Sequence, residues 1–133
     1  MRLAIAYIAA LVTMLCLDGI WLSQSFAAIY QPVLGPLQAE KTNWPAAAVF
    51  YLLYPAGVLL FATFPALRGA GWTAALLNGA ALGLFAYATY DLTNYATLRG
   101  WTLRITLADI AWGIVITAGA ATVSYLAASR LTR

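Results

Sequence analysis

The sequence predicts an all-α fold: an integral-membrane four-helix bundle with one long amphipathic interfacial loop between its first and second helices. Three observations carry that expectation. Hydrophobic residues make up 64% of the 133 positions and charged ones 8%, with a mean hydropathy of +0.84. Soluble domains carry about 25% charged residues, so this chain has too little polar surface to coat a globule in water. Four apolar stretches, about 3–22, 45–67, 72–98 and 101–129, each reach the ~20 residues that cross a bilayer as a helix. Short links join the last three, which favours antiparallel neighbours in a single transmembrane domain, 1–133.

The first stretch, "MRLAIAYIAALVTMLCLDGIWLSQSFAA", opens with a basic residue and ends in small ones, as a secretory signal does. Asp18 and Trp21 interrupt it before those small residues and the apolar run is long, so a retained helix is expected. After it comes "SQSFAAIYQPVLGPLQAEKTNW", in which Phe26, Ile29, Tyr30, Val33, Leu34 and Leu37 share one face at helical spacing. Pro32 and Pro36 forbid one uninterrupted helix there. An amphipathic segment in the membrane interface is expected, either a packed loop or a lid over what lies beneath.

In the second stretch, Pro55 and Pro65 should bend or end the helix. Only "RGAG", 68–71, separates it from the third, and Arg99-Gly100 separates the third from the fourth. The pairs Gly79/Gly83 and Gly113/Ala120 permit close helix contacts. If the N-terminus is inside, Arg2, Arg68, Arg130 and Arg133 face the cytoplasm and Lys41, Arg99 and Arg104 face outward. That bias places both termini in the cytoplasm.

The seven basic residues giving a net charge of +3 are scattered, which argues against nucleic-acid binding. The lone Cys16 has no disulfide partner, and no Cys/His spacing suits a metal. With no histidine in the chain, a His-ligated haem or zinc and a His general base are excluded.

Of the four acids, Glu40 lies in the long connection, while Asp18, Asp91 and Asp109 lie inside apolar stretches. An acid at mid-helix costs roughly 2.5–3.5 kcal/mol to insert, so depth matters. At ~1.5 Å per residue the three sit about 6, 10 and 12 Å below the same surface, whichever way the chain is inserted. Helical angles place Tyr87, Tyr90, Asp91 and Asn94 on one arc of the third stretch. Thr106, Asp109, Gly113, Thr117 and Ser124 share an arc of the fourth, and Tyr7, Met14, Asp18 and Trp21 a stripe of the first. Tyr51 and Tyr54 join them from the second. Lipid offers these groups no hydrogen bonds, so they should turn inward. "DGIW" (18–21) and "DIAW" (109–112) also share a D-x-x-W spacing.

Four uses of such a polar chamber stay open. Arg99 and Arg104 can pair with Asp91 and Asp109, so that the polar groups specify packing alone. Asp18, Tyr51, Tyr54, Tyr87, Tyr90, Asp91, Asn94, Arg99, Arg104, Asp109 and Trp112 can instead bind or modify a membrane lipid or another small amphipathic ligand. No nucleophile–base pair or cofactor motif accompanies them. Three oxygen ligands can handle protons or cations. Small-residue faces suit an accessory subunit with a membrane-protein partner.

The combination of "LDGIWL", "YLLYP", "YATYDLTNYATLRGW" and "DIAWG" resembles a bacterial family of predicted membrane proteins, domain of unknown function 2177. The resemblance spans nearly the whole chain. It implies a compact four-helix inner-membrane protein and brings no established activity, substrate or cofactor.

Overall fold

The computed structural model describes residues 1–131, and no strand occurs among them. Helix α1 runs Arg2–Ser25 and continues through a π-helical turn, Phe26–Tyr30, into the short α2, Gln31–Leu34, and a 3₁₀ turn, Gly35–Leu37. Helix α3, Trp44–Val58, leads through two π-helical turns, Leu59–Thr63 and Ala66–Ala70, to α4, Gly71–Thr97, and α5 spans Leu103–Arg130. The orientation argument's Arg133 lies outside the described residues.

Among the described residues, three helical segments are long and apolar enough to cross a membrane: Arg2–Leu37, Trp44–Thr97 and Leu103–Arg130. The expected four-helix bundle is therefore corrected to three membrane-capable helices; the all-helical class stands. The difference lies at "RGAG", where the helical run continues through a kink between two limbs. The expected second and third spans form one helical segment of 54 residues, in which Gly69, at φ 121°, leaves helical backbone and Gly71 follows at φ 79°. Glycine reaches such positive φ without steric cost. A straight helix of that length would run about 80 Å, yet Tyr54 and Tyr87, on either side of the bend, bring their rings to 6.4 Å. The segment folds back on itself at these glycines.

The expected interfacial loop is corrected as well, because the connection is helical as far as Leu37. Pro32 and Pro36 each fall in the first turn of a new short helix, where a missing N–H leaves no bond unmade. The chain bends at Ser25, whose φ of −112° departs from its helical neighbours. In consequence the Phe26–Leu34 strap lies over the start of α5: Tyr30, Trp101 and Ile105 are buried together, with Trp21, Phe26 and Ile29 against them. Leu37, assigned to the same apolar face, is exposed.

Helix α5 is the centre of the assembly and supplies the largest share of buried residues. It runs antiparallel to α1, since Ser124 Oγ donates to the Ala6 carbonyl while Trp112 reaches Asp18. Against α3 it runs parallel, through Tyr54–Thr117 and Thr63–Ser124 hydroxyl contacts. Its seam with α4 is the tightest. A Cβ placed on Gly83 would come 2.2 Å from the Gly113 carbonyl oxygen, and one on Gly79 would come 2.8 Å from the Ala121 Cβ. Gly79, Gly83 and Gly113 are thus used up inside the molecule, as close backbone approach requires. Large apolar side chains such as Ile8, Val12, Leu53, Phe85 and Val115 remain exposed, which suits surfaces facing hydrocarbon.

Candidate functional site

The antiparallel pairing of α1 with α5 decides how the two D-x-x-W stretches meet. Spacing of i, i+3 puts acid and indole on one helix face, and the two faces oppose each other. Trp21 and Trp112 stack with ring centroids 4.7 Å apart and planes within 5°. Trp112 Nε1 donates to Asp18 Oδ1 at 3.0 Å, and the Tyr51 hydroxyl donates to Asp18 Oδ2 at 2.8 Å. In return Trp21 Nε1 donates to the Tyr30 hydroxyl at 2.8 Å, which donates to Asp109 Oδ1. Each indole therefore serves the other stretch's aspartate, one directly and one through Tyr30. Charge-assisted bonds of this kind are what make a buried carboxylate tolerable.

Asp91 has no such shell. It is 0% exposed, and neither carboxylate oxygen meets a hydrogen-bond donor. The polar group it faces within hydrogen-bonding range is the Asp109 carboxyl. Two carboxylates have only acceptors between them, so the pair lacks a donor as long as both are ionised.

Asp109 also lines a cleft of about 470 Å³ with Phe50, Tyr54, Ala86, Tyr87 and Tyr90, between α3 and α4. Local packing sets these walls. The Tyr87 ring lies over Gly113, where a Cβ would come 2.1 Å from Cγ. Tyr54 is held by its hydroxyl contact with Thr117 at 2.8 Å. Tyr90 stands edge-on to Trp101, at 5.7 Å between centroids, and Trp101 Nε1 donates to Thr106. A second cleft of about 360 Å³ shares Phe50 and Tyr54 with the first, and continues along Leu53, Gly57, Leu60, Phe61 and Leu82. No charged or amide side chain lines it.

The expected ring of site residues thus divides into two clusters joined by the stacked indoles. Asp18, Tyr51 and Trp112 form one, with no share in the cleft. Tyr54, Tyr87, Tyr90 and Asp109 form the other, with Asp91 behind them. Asn94 is half-buried, with its side chain beside the Tyr90 hydroxyl. Arg99 and Arg104 are exposed, and among the described residues no ion pair joins either to an aspartate. The arginine–aspartate pairing considered from the sequence is corrected on that finding. Sequence reasoning left Trp21, Tyr30, Phe50 and Trp101 out of the site. The D-x-x-W repeat was the available signal for Trp21, and the apolar face of the connection was the signal for Tyr30. Nothing in the pattern singled out Phe50. Among the described residues no group of three or more His, Cys, Asp or Glu is placed to hold a metal ion.

No curated protein and no solved structure matches this chain. The pattern of one family, described as Predicted membrane protein (DUF2177), matches residues 3–126. With that match over nearly its full length, and three apolar helices carrying it, the chain belongs to the predicted membrane protein family of domain of unknown function 2177.

Proposed function

We propose that the protein binds a lipid-like or small amphipathic ligand in the open seam between α3 and α4, as a multi-pass protein of the bacterial inner membrane. One observation carries the reading: the aromatic cleft ending at Asp109 runs, at Phe50 and Tyr54, into a cleft without charged walls. A concave site with few polar groups at one end and apolar walls beyond is shaped for an amphiphile. Along α3 the lining from Phe50 to Phe61 covers about 16 Å of helix rise. The headgroup lies at the Asp109 end and the chain lies along Leu53, Gly57 and Leu82. Membrane lipids are the natural pool for such a ligand. The end carrying Arg2, Arg68 and Arg130 is read as cytoplasmic.

Photolabelling tests this reading. A phospholipid with a diazirine in its acyl chain, added to the purified protein in nanodiscs, should label peptides from 50–61 and 82–90 well above the rest. Labelling spread evenly over exposed faces such as those of Val12, Leu15 and Val115 would contradict it.

A further inference from the structure

Resting on the groove reading above, we propose that the head end of the groove is a site for a protonated amine, the ammonium of an amphiphile. Asp109 holds it, Asp91 supports Asp109 from behind, and Tyr54, Tyr87 and Tyr90 surround it. Charge is the first argument. A fully buried acid on α4 faces a partly buried one on α5, and no arginine or lysine among the described residues pairs with either. Asp91 is fully buried with both oxygens lacking a donor, and a carboxylate left in that state is costly. One proton between the two acids supplies the missing donor, and the pair then carries a single negative charge. Asp109 Oδ1 already accepts from Tyr30, and Oδ2 has no donor. The remaining charge therefore faces the cleft that Asp109 lines.

The walls supply the second argument. Aromatic rings attract cations through their quadrupoles, and ammonium groups are commonly held among them. Tyr54, Tyr87 and Tyr90 surround the Asp109 end, and the apolar groove begins at Tyr54. A bare metal ion finds no group of three acidic ligands there among the described residues. An anionic head would meet like charge. A neutral head would leave the charge of Asp109 unmatched. A monocation with an apolar tail complements all three features.

The test uses octylammonium, octanol and octyl phosphate as probes of equal chain length, titrated into the full-length protein in a neutral maltoside detergent, with tryptophan fluorescence as readout. Octylammonium should bind about tenfold more tightly than octanol, a difference of ~1.4 kcal/mol, and octyl phosphate more weakly than either. Asp109→Asn keeps an acceptor for Tyr30 and should bring octylammonium to the level of octanol without changing octanol. Asp91→Asn replaces the shared proton with an amide donor and should leave the ammonium preference in place. Equal binding of octylammonium and octanol, or a preference that survives Asp109→Asn, would overturn the amine site while leaving the groove intact. Loss of the preference in Asp91→Asn would overturn the shared proton. Should Asp109→Asn fail to fold, Ala86→Leu, which fills the same cleft, should weaken both octylammonium and octanol. Wild-type protein that binds neither probe would overturn the groove and the amine site together.

Discussion

Helix α4 meets its two neighbours in opposite ways. Toward α5 it presents Gly79 and Gly83, and the backbones approach until a methyl group has no room. Toward α3 it presents Leu82, Ala86, Tyr87 and Tyr90 opposite Phe50, Leu53 and Tyr54, and clefts of about 470 and 360 Å³ remain. Lipid is as apolar as the side chains, so helices in a membrane gain from contact and hydrogen bonding more than from burial. The glycine seam maximises contact and fixes the position of Asp91 against Asp109. The aromatic seam gives contact up and leaves room. One helix thus carries a rigid side and a receptive side, which is how a binding site is kept on a firm support.

The largest expected effect comes from forcing the closed seam apart. Gly83→Ala puts a Cβ against the Gly113 carbonyl, and overpacking of this kind costs about 1–3 kcal/mol. A clear fall in melting temperature in detergent is the expected result. Ala86→Leu, on the open side, should leave that temperature nearly unchanged. An equal loss in the two variants would erase the distinction between the seams.

The acids offer a smaller and independent contrast. Asp18 accepts from two donors on separate oxygens, whereas an amide has one acceptor oxygen. Asp18→Asn should therefore cost about 1–2 kcal/mol, while Asp91→Asn should be neutral or stabilising, because no donor is lost there. Denaturation in mixed micelles would measure both. The reverse order would mean that Asp91, not Asp18, anchors the fold.

Smallest of all are the single donor deletions around Asp18. Tyr51→Phe or Trp112→Phe alone should cost about 1 kcal/mol or less, as membrane hydrogen bonds do. The double variant leaves Asp18 without a donor and should cost more than the sum. Strict additivity in a double-mutant cycle would show that the two donors do not share that carboxylate.

Much of this arrangement was legible in the sequence, because a helix converts residue number into depth and face. That conversion brought Asp18, Asp91 and Asp109 to one level and put Tyr87 and Asp91 on one arc. Gly79, Gly83 and Gly113 were recognisable as contact residues for the same reason. Bond partners were not legible. Arg99 and Arg104 sit close to Asp91 and Asp109 along the chain, but their charges stay exposed; Asp109 takes its hydrogen bond from Tyr30 of the strap, and Asp91 has no donor. Spacing also misjudged the breaks. "RGAG" holds two glycines that turn the backbone while helical hydrogen bonding resumes on both sides, so two expected spans are one bent segment. Pro32 and Pro36 interrupt a single helix type without ending helicity. The open seam depends on how two limbs of one segment diverge, and no local pattern encodes that angle.

The central claim is that the α3–α4 seam holds an amphiphile. Mass spectrometry of the small molecules retained by the gently purified protein tests it most directly, with wild type and Ala86→Leu compared side by side. Wild type should retain an amphiphilic species that Ala86→Leu, folded and equally stable, has lost. The same retained molecules in both proteins, or none in either, would contradict the account.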